Sequence, residues 1–120
     1  MASDQIDERG LDTAQLLRGV LDLAIVAVLA ERDGYGYDIV RRLREAGLED
    51  VGDASVYGTL RRLYRGGALS SYVQPSEEGP NRKYYGLTSA GRDQLEHATK
   101  TWTQFADTID GLVRNPRTAR

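Results

Sequence analysis

The sequence contains no cysteine and a single histidine, His97. The lack of cysteine excludes disulfide bridges, thiolate metal sites and a cysteine nucleophile. One histidine cannot form a zinc site built from several imidazoles, and a catalytic triad would depend on His97 alone. We interpret His97 as a solvated or interfacial side chain. No glycine-rich phosphate loop or nucleophile–base pair is visible either, so we expect no catalytic residue, metal or cofactor.

Long hydrophobic runs are also missing. The longest, Val20–Ala30, is interrupted by Asp22 and is shorter than the about 20 residues that a membrane-spanning helix needs. Residues 1–12 are polar and acidic, unlike a signal or transit peptide. The sequence therefore predicts a soluble, cytoplasmic protein. With 120 residues, 40% of them hydrophobic, the chain is long enough for one domain with its own core.

The charge of the chain is small but unevenly distributed. The formal net charge is −2, yet residues 1–53 hold 12 acidic and 6 basic groups, and residues 54–120 hold 6 acidic and 10 basic groups. An asymmetry between halves indicates contact with nucleic acid. Chance is the alternative explanation.

Apolar periodicity predicts three helices, a hairpin and a long final helix. We expect the helices at residues 13–31, 36–46 and 54–65, the hairpin strands at 69–74 and 82–87, and the last helix at 89–113. Residues 33–36 are typical of a turn, and residues 75–81 of a long exposed hairpin tip. Gly47 is placed to follow the second helix as its C′ residue, and Thr88 to cap the last one.

This order predicts a mainly α fold with a small β-hairpin, namely a winged helix-turn-helix followed by a long C-terminal dimerisation helix. The DNA-binding domain would cover residues 13–88 and the dimerisation helix residues 89–113. Residues 1–12 and 114–120 are expected to be flexible.

The third helix has the pattern of a recognition helix. Its apolar stripe is Val56, Leu60 and Leu63. The opposite side carries one glycine and three arginines: Gly58, Arg61, Arg62 and Arg65. Arginine can bind a guanine edge or a phosphate, and a free helix start with Ser55 and Tyr57 can bind a phosphate. The alternative is that these arginines are only solvated.

The hairpin is interpreted as a wing that contacts the DNA backbone or minor groove through Asn81, Arg82 and Lys83. We expect Glu77 and Glu78 to point away from phosphate. The hairpin tyrosines Tyr72, Tyr84 and Tyr85 are interpreted as packing residues. Alternation along the strand places Tyr85 and Leu87 on the inner face.

The last helix carries an apolar seam with spacings of three and four residues: Leu95, Ala98, Trp102, Phe105, Ile109 and Leu112. Such a seam favours pairing with a second copy, to which Leu17 and Leu21 of the first helix would add. Packing against the chain's own first helix is the alternative, and both can hold. A two-fold dimer would present two third helices to a pseudo-palindromic DNA site.

Trp102 lies in the middle of this seam. It is either a core or interface residue or part of a cavity for a small planar aromatic effector. Ala98 would leave space beside it and Phe105 would supply a second aromatic wall.

Several segments together resemble the PadR family of bacterial transcriptional regulators. Leu16–Leu23 is similar to the family's first-helix start, and Gly36–Ile39 to its second-helix start. Ser55–Leu63 is similar to the recognition-helix core. The most specific match is Arg82–Arg92, the wing strand that leads into the last helix. Two positions depart from the pattern: Gly58 stands where proline is common, and Gly66 where an acidic residue is usual.

The resemblance implies a dimeric winged-helix repressor that binds an inverted-repeat operator, often near its own gene, and that in some members is released by an aromatic or drug-like molecule. Carried over by position, it implies DNA contacts at Tyr57, Thr59, Arg62 and Lys83, with Tyr37 near the backbone. Trp102 would line the effector cavity. The alternative function is a winged-helix protein-interaction adapter without specific DNA binding.

Overall fold

The computed structural model describes residues 16–115, which form four helices and a three-stranded antiparallel sheet. The elements in chain order are α1 (Leu21–Glu31), β1 (Gly34–Tyr35), α2 (Gly36–Glu45), α3 (Asp53–Arg65), β2 (Leu69–Ser76), β3 (Gly79–Leu87) and α4 (Ser89–Arg114). This is the mainly helical winged architecture that the sequence predicts.

The first helix is shorter than predicted. Leu16 and Leu17 are helical, but residues 18–20 form a turn, and α1 begins at Leu21. The amides of Gly19 and Val20 bond to carbonyls three residues back instead of four. Glycine is a poor helix former, and the prediction of one continuous helix is wrong at this point. Residues 13–15, and the predicted flexible segments except Arg114 and Asn115, lie outside the described residues.

Helix α1 lies at the centre of the fold. It packs against α2, α3, α4 and β3, and its side chains Ile25, Val26 and Leu29 are buried. Leu17 and Leu21 were predicted at a dimer interface, but they are only 7% and 8% exposed and belong to this same core. That part of the interface prediction is corrected, because an apolar helix with neighbours on most sides uses these leucines within its own chain.

The predicted turn at residues 33–36 contains a strand. Gly34 and Tyr35 pair with Tyr85 and Tyr84 of β3, so the sheet has the order β1-β3-β2. A Cβ atom at Gly34 would lie 2.6 Å from Asp38 Oδ2, so a larger residue would have to displace this buried carboxylate. The pairing depends on β3, about fifty residues away along the chain, so local turn signals do not reveal it.

The hairpin strands are longer than predicted and the tip is correspondingly short. Only Glu77 and Glu78 form the turn, and Asn81 lies on β3 rather than at the tip. The register shifts between Gln74 and Ser76, where Pro75 interrupts the ladder because proline cannot donate a backbone hydrogen bond.

The remaining helix limits agree with the predictions within one residue. Gly47 follows α2 with a φ of 120°, the left-handed conformation that glycine adopts at helix ends. Thr88 caps α4, since its hydroxyl accepts a hydrogen bond from the Gly91 amide at 3.0 Å. The cap fixes the point at which the wing strand becomes the last helix.

Candidate nucleic-acid interface

Helix α3 buries one face and exposes the other. Val56, Leu60 and Leu63 are buried in the core as the stripe predicts, while Arg61 and Arg65 are exposed. The space around Gly58 is open, with no atom within 4 Å of a Cβ position. The backbone can therefore approach another surface closely at this point.

Thr59 does not belong to the exposed face. Its side of the helix faces the core, and the residue is only 8% exposed. It lies three residues after Val56 and four before Leu63, and this spacing places it beside the apolar stripe. The expectation that Thr59 presents its side chain to DNA is therefore corrected.

A shallow cleft lies between α2, α3 and the hairpin, and we call it the wing cleft. Its volume is about 350 Å³. Its lining includes three cationic side chains and no carboxylate. The lining residues are Tyr35, Gly36, Tyr37, Tyr57, Leu60, Arg61, Arg82, Lys83 and Tyr85. The structure thus brings Arg61 of the helix together with Arg82 and Lys83 of the wing.

Tyr57 forms the wall of the wing cleft at the start of α3. Its ring lies directly over Gly36, where any Cβ atom would overlap it. The residue is still 39% exposed, and Tyr37 on the neighbouring helix start is 61% exposed. Two phenol groups therefore face solvent beside the cations.

The two wing cations, Arg82 and Lys83, are successive residues of β3. Arg82 stacks over the Tyr35 ring at 4.5 Å and donates to its hydroxyl at 2.9 Å. Lys83 Nζ lies 5.5 Å from the Tyr64 ring centre and 5.6 Å from that of Tyr85. Tyrosine rings thus hold both cations through cation–π contacts.

Tyr35 and Tyr64 hold the wing cations but were not among the residues that the sequence pattern indicated. No local signal marks Tyr35, because its role depends on the pairing of β1 with β3. Tyr64 could have been found, since it follows Tyr57 by seven residues, a spacing that places both rings on one side of a helix.

The remaining hairpin tyrosines pack as predicted. Tyr72 and Tyr84 are directly paired across the strands, and their rings stack at 5.7 Å. Tyr85 and Leu87 are half-buried against the core. The Tyr72 hydroxyl also donates to Asp33 Oδ2 at 2.5 Å, and this hydrogen bond to a carboxylate is the main reason that the pKa of Tyr72 is raised.

Arg62 is not part of the wing cleft. Its guanidinium binds both carboxylate oxygens of Asp22 on α1, at 2.9 and 2.7 Å. These hydrogen bonds, together with the negative charge, raise the pKa of Arg62. The sequence could not indicate this pair, because its members lie forty positions apart. Three other predicted DNA contacts, Ser55, Arg65 and Asn81, are exposed but do not line the cleft.

A second, larger depression separates α4 from the turn before α1, and we call it the apolar groove. Its volume is about 1090 Å³. It brings together the predicted effector residues Ala98, Trp102 and Phe105, and Leu16, Val20 and Leu23 face them from the other wall. Acidic and titratable groups line it as well, among them Asp22, His97 and Asp110.

The apolar seam of α4 divides into two parts. Leu95 is half-buried against the chain's own core. Farther along, Trp102, Phe105, Ile109 and Leu112 are 43%, 58%, 41% and 43% exposed. The first turns of α4 therefore pack on the domain, and the rest presents an uncovered apolar face.

The sequence profile of the Transcriptional regulator PadR-like family matches residues 25–97. The chain belongs to this family. The match covers most of the chain and includes α2, α3 and the wing, with most of α1 and the start of α4. The family resemblance in the sequence is thereby confirmed, and membership places the chain among DNA-binding transcription regulators and not among enzymes.

Solved structures of PadR-like proteins have the same fold. A PadR family transcriptional regulator from Eggerthella lenta is 29% identical, and the match covers 96% of this chain and 98% of that one with a TM-score of 0.79. A PadR-like transcriptional regulator from Bacillus cereus is 31% identical over 84% of this chain and 98% of its own, with a TM-score of 0.76. A protein of Lysinibacillus sphaericus described only as uncharacterized is 30% identical over 81% of this chain and 91% of its own length.

Residues 16–115 contain neither a candidate metal site nor a membrane-spanning helix. No group of three or more histidine and acidic side chains there could hold a metal ion. None of the helices in that range is long and apolar enough to cross a membrane.

Proposed function

We propose that this PadR-like protein is a homodimeric repressor that binds a pseudo-palindromic operator near its own gene. The observation that carries the proposal is the convergence of Arg61, Arg82 and Lys83 on the wing cleft, in front of two exposed tyrosines. A recognition helix and a wing that present cations to the same side suit the major groove and the adjacent backbone.

In this proposal α3 enters the major groove. Arg61 and Arg65 face the base edges and phosphates, and the open position at Gly58 lets the protein backbone approach the DNA.

The DNA backbone is contacted at two further places. Near the start of α3 the contacts come from Tyr37, Ser55 and Tyr57, and on the wing they come from Asn81, Arg82 and Lys83. Charge supports this orientation, because residues 54–92 carry 6 basic and 2 acidic groups.

The homodimer rests on the uncovered part of α4. Four large apolar side chains, from Trp102 to Leu112, are about half exposed there, and a second copy of the same helix would cover them with a matching seam. Leu95 and Ala98 lie at the end of this seam nearest the DNA-binding domain. The resulting two-fold axis would place the two α3 helices on two half-sites.

An effector site is proposed in the apolar groove. Ala98, Trp102 and Phe105 line one wall, and their symmetry mates would enclose a space for a flat, mainly apolar molecule. Pockets of this kind bind planar aromatic compounds through stacking and apolar contact. Binding there would change the orientation of the two protomers relative to each other and relieve repression.

Selection of bound fragments from the organism's own genomic DNA tests the DNA-binding part of the proposal. The purified protein is expected to enrich a pseudo-palindromic site upstream of its own gene, with affinity that falls steeply as salt rises. A reporter under that upstream region should be silenced by the protein. If no fragment is preferred over random duplex and a protein partner co-purifies instead, the adapter function is favoured.

Trp102 is the only tryptophan of the chain, so its fluorescence reports on the apolar groove directly. A panel of planar aromatic compounds is expected to contain some that quench this emission and weaken operator binding at the same concentrations. Trp102→Leu should keep DNA binding and lose the response to those compounds. An unchanged emission and an unchanged operator affinity across the whole panel would remove the effector from the proposal.

A further inference from the structure

We propose that Asp22 and Arg62 form a positioning pair, which fixes the recognition helix α3 against α1. Arg62 then supports DNA binding through the placement of α3 and not by touching DNA itself. The inference rests on the proposed DNA-binding function, and it changes the role that position alone suggests for Arg62.

The first observation is the geometry of the pair. Arg62 Nη1 donates to Asp22 Oδ2 at 2.9 Å, and Nη2 donates to Oδ1 at 2.7 Å. Two parallel charge-assisted hydrogen bonds define the orientation of both groups, which a single contact between point charges does not. The two residues join helices that already pack against each other, so the pair adds a directional tie to an apolar contact.

The second observation is the direction of Arg62 on α3. Successive residues of a helix point about 100° apart, and Arg61 lies in the wing cleft with Lys83 and Tyr57. Arg62 therefore points to the flank that faces α1, where Asp22 lies. Arg61 therefore faces the proposed DNA-binding surface, whereas the neighbouring Arg62 faces α1.

The third observation is the place of Asp22. Its carboxylate is about half exposed, and the residue also lines the apolar groove. To reach a phosphate, Arg62 would have to give up both hydrogen bonds and leave this carboxylate uncompensated beside a DNA-facing helix. The pair connects the groove wall directly to α3.

Both side chains are largely in contact with water. The pair therefore adds little to the overall stability, and its main effect is on the placement of α3 against α1. We therefore expect its loss to leave the thermal unfolding of the protein nearly unchanged. The effect should appear in the ratio of affinities for specific and non-specific DNA, which depends on the exact placement of α3.

The test uses a duplex that the wild-type protein selects from a random pool, and a shuffled duplex of the same composition. Asp22→Asn, Arg62→Gln and Arg62→Lys are each expected to lower the specificity ratio by about three- to tenfold. The exchanged pair, Asp22→Arg with Arg62→Asp, should restore it to within about threefold. The salt dependence of binding should stay that of the wild type in every variant, because no phosphate contact is removed.

The matched control is Arg65→Gln on the same helix, which should reduce the salt slope by about one if it removes a phosphate contact. If Arg62 contacts DNA directly, the opposite results are expected. Asp22→Asn should then strengthen DNA binding, and Arg62→Lys should retain most of it. Arg62→Gln should lower the salt slope, and the exchanged pair should bind DNA most weakly. That pattern, or wild-type specificity in all variants, would overturn the inference. A wild-type protein that selects no sequence would contradict the proposed function itself, and with it the role given to the pair.

Discussion

At the scale of single residues, the buried cation Arg42 is the unusual feature of the core. Its guanidinium binds Asp38 at 3.2 Å and donates to the carbonyls of Val28 and Arg32 at 2.6 and 3.2 Å. The last two contacts satisfy carbonyls at the end of α1, where a helix leaves such groups without partners. Arg42 therefore ties the end of α1 to α2 in a site that is 8% exposed.

Arg42→Met is expected to destabilise the protein by about 3–5 kcal/mol, because it removes the hydrogen bonds to the Val28 and Arg32 carbonyls together with the more deeply buried of the two arginines that pair with Asp38. The measurement is the urea midpoint at constant slope. Arg41→Met is the control: this neighbour also binds Asp38, at 2.5 Å, but is 46% exposed, and its loss should matter far less. Equal losses in the two variants would contradict the role given to Arg42.

Tyr72 provides a pH-dependent contact at the sheet surface. Its hydroxyl must be protonated to donate to Asp33, and this bond raises its folded pKa above the unfolded value of about 10. A raised folded pKa means that the stabilisation is complete below the unfolded pKa and is lost as the pH rises through the folded pKa.

Tyr72→Phe is accordingly expected to lower the urea midpoint at neutral pH, and to differ less from the wild type well above pH 10. Tyr37→Phe, at an exposed position, is the control and should change little at either pH. A difference between Tyr72→Phe and the wild type that stays constant with pH would show that the hydrogen bond is not its source.

At the scale of elements, α3 and the wing act as one surface because the segments between them are tied down. Arg44 on α2 donates to the Val51 carbonyl at 2.9 Å and to Asp53 at 3.1 Å, which holds the connection that leads into α3. At the other end of α3, Ala68 and Thr88 are joined by a backbone hydrogen bond of 3.0 Å. The recognition helix is therefore anchored at both ends.

Arg61→Ala and Lys83→Ala should separate the tasks of these two elements. Arg61→Ala is expected to cost about 1–3 kcal/mol of operator binding and to relax the sequence preference. Lys83→Ala should weaken all duplexes alike and lower the salt slope by about one. Both predictions are tested by measuring the affinities of the variants for the selected and shuffled duplexes over a series of salt concentrations.

Arg114→Ala at the end of α4, where the arginine pairs with Asp110, serves as the control for a changed net charge. It should leave the specificity ratio and the salt slope close to those of the wild type. If Arg61→Ala and Lys83→Ala weaken binding to the selected and shuffled duplexes by the same amount, the proposed roles of the helix in sequence preference and of the wing in phosphate contact would be contradicted.

At the scale of the whole molecule, the question is what covers the outer part of α4. Phe105→Glu places a charge at the centre of the uncovered face, where burial against a second copy would be costly. We expect this variant to be monomeric by light scattering and to bind a two-half-site operator much more weakly than the wild type.

Thr103→Glu is the matched control, because Thr103 is exposed on the same helix and is not among the residues that line the apolar groove. It should remain dimeric and should keep its operator affinity. Dimers of unchanged stability in Phe105→Glu would contradict the interface on α4.

The sequence alone determined the features that depend on neighbouring residues. The period of the apolar side chains indicated α2, α3 and α4, and Thr88 and Gly47 marked helix ends within the chain itself. The exposed arginine Arg61 and the wing cations followed from the same periodicity. These predictions succeeded because helix periodicity, capping and strand alternation act over a few residues.

The tertiary structure decided everything that requires a partner distant in the chain. The strand β1 exists because β3 lies beside it. Arg62 meets Asp22 only when α1 and α3 are packed together, and Leu17 and Leu21 are used within the chain because α1 lies at its centre. Propensity and periodicity describe a residue's own segment, whereas these contacts are selected by burial and charge across the folded chain.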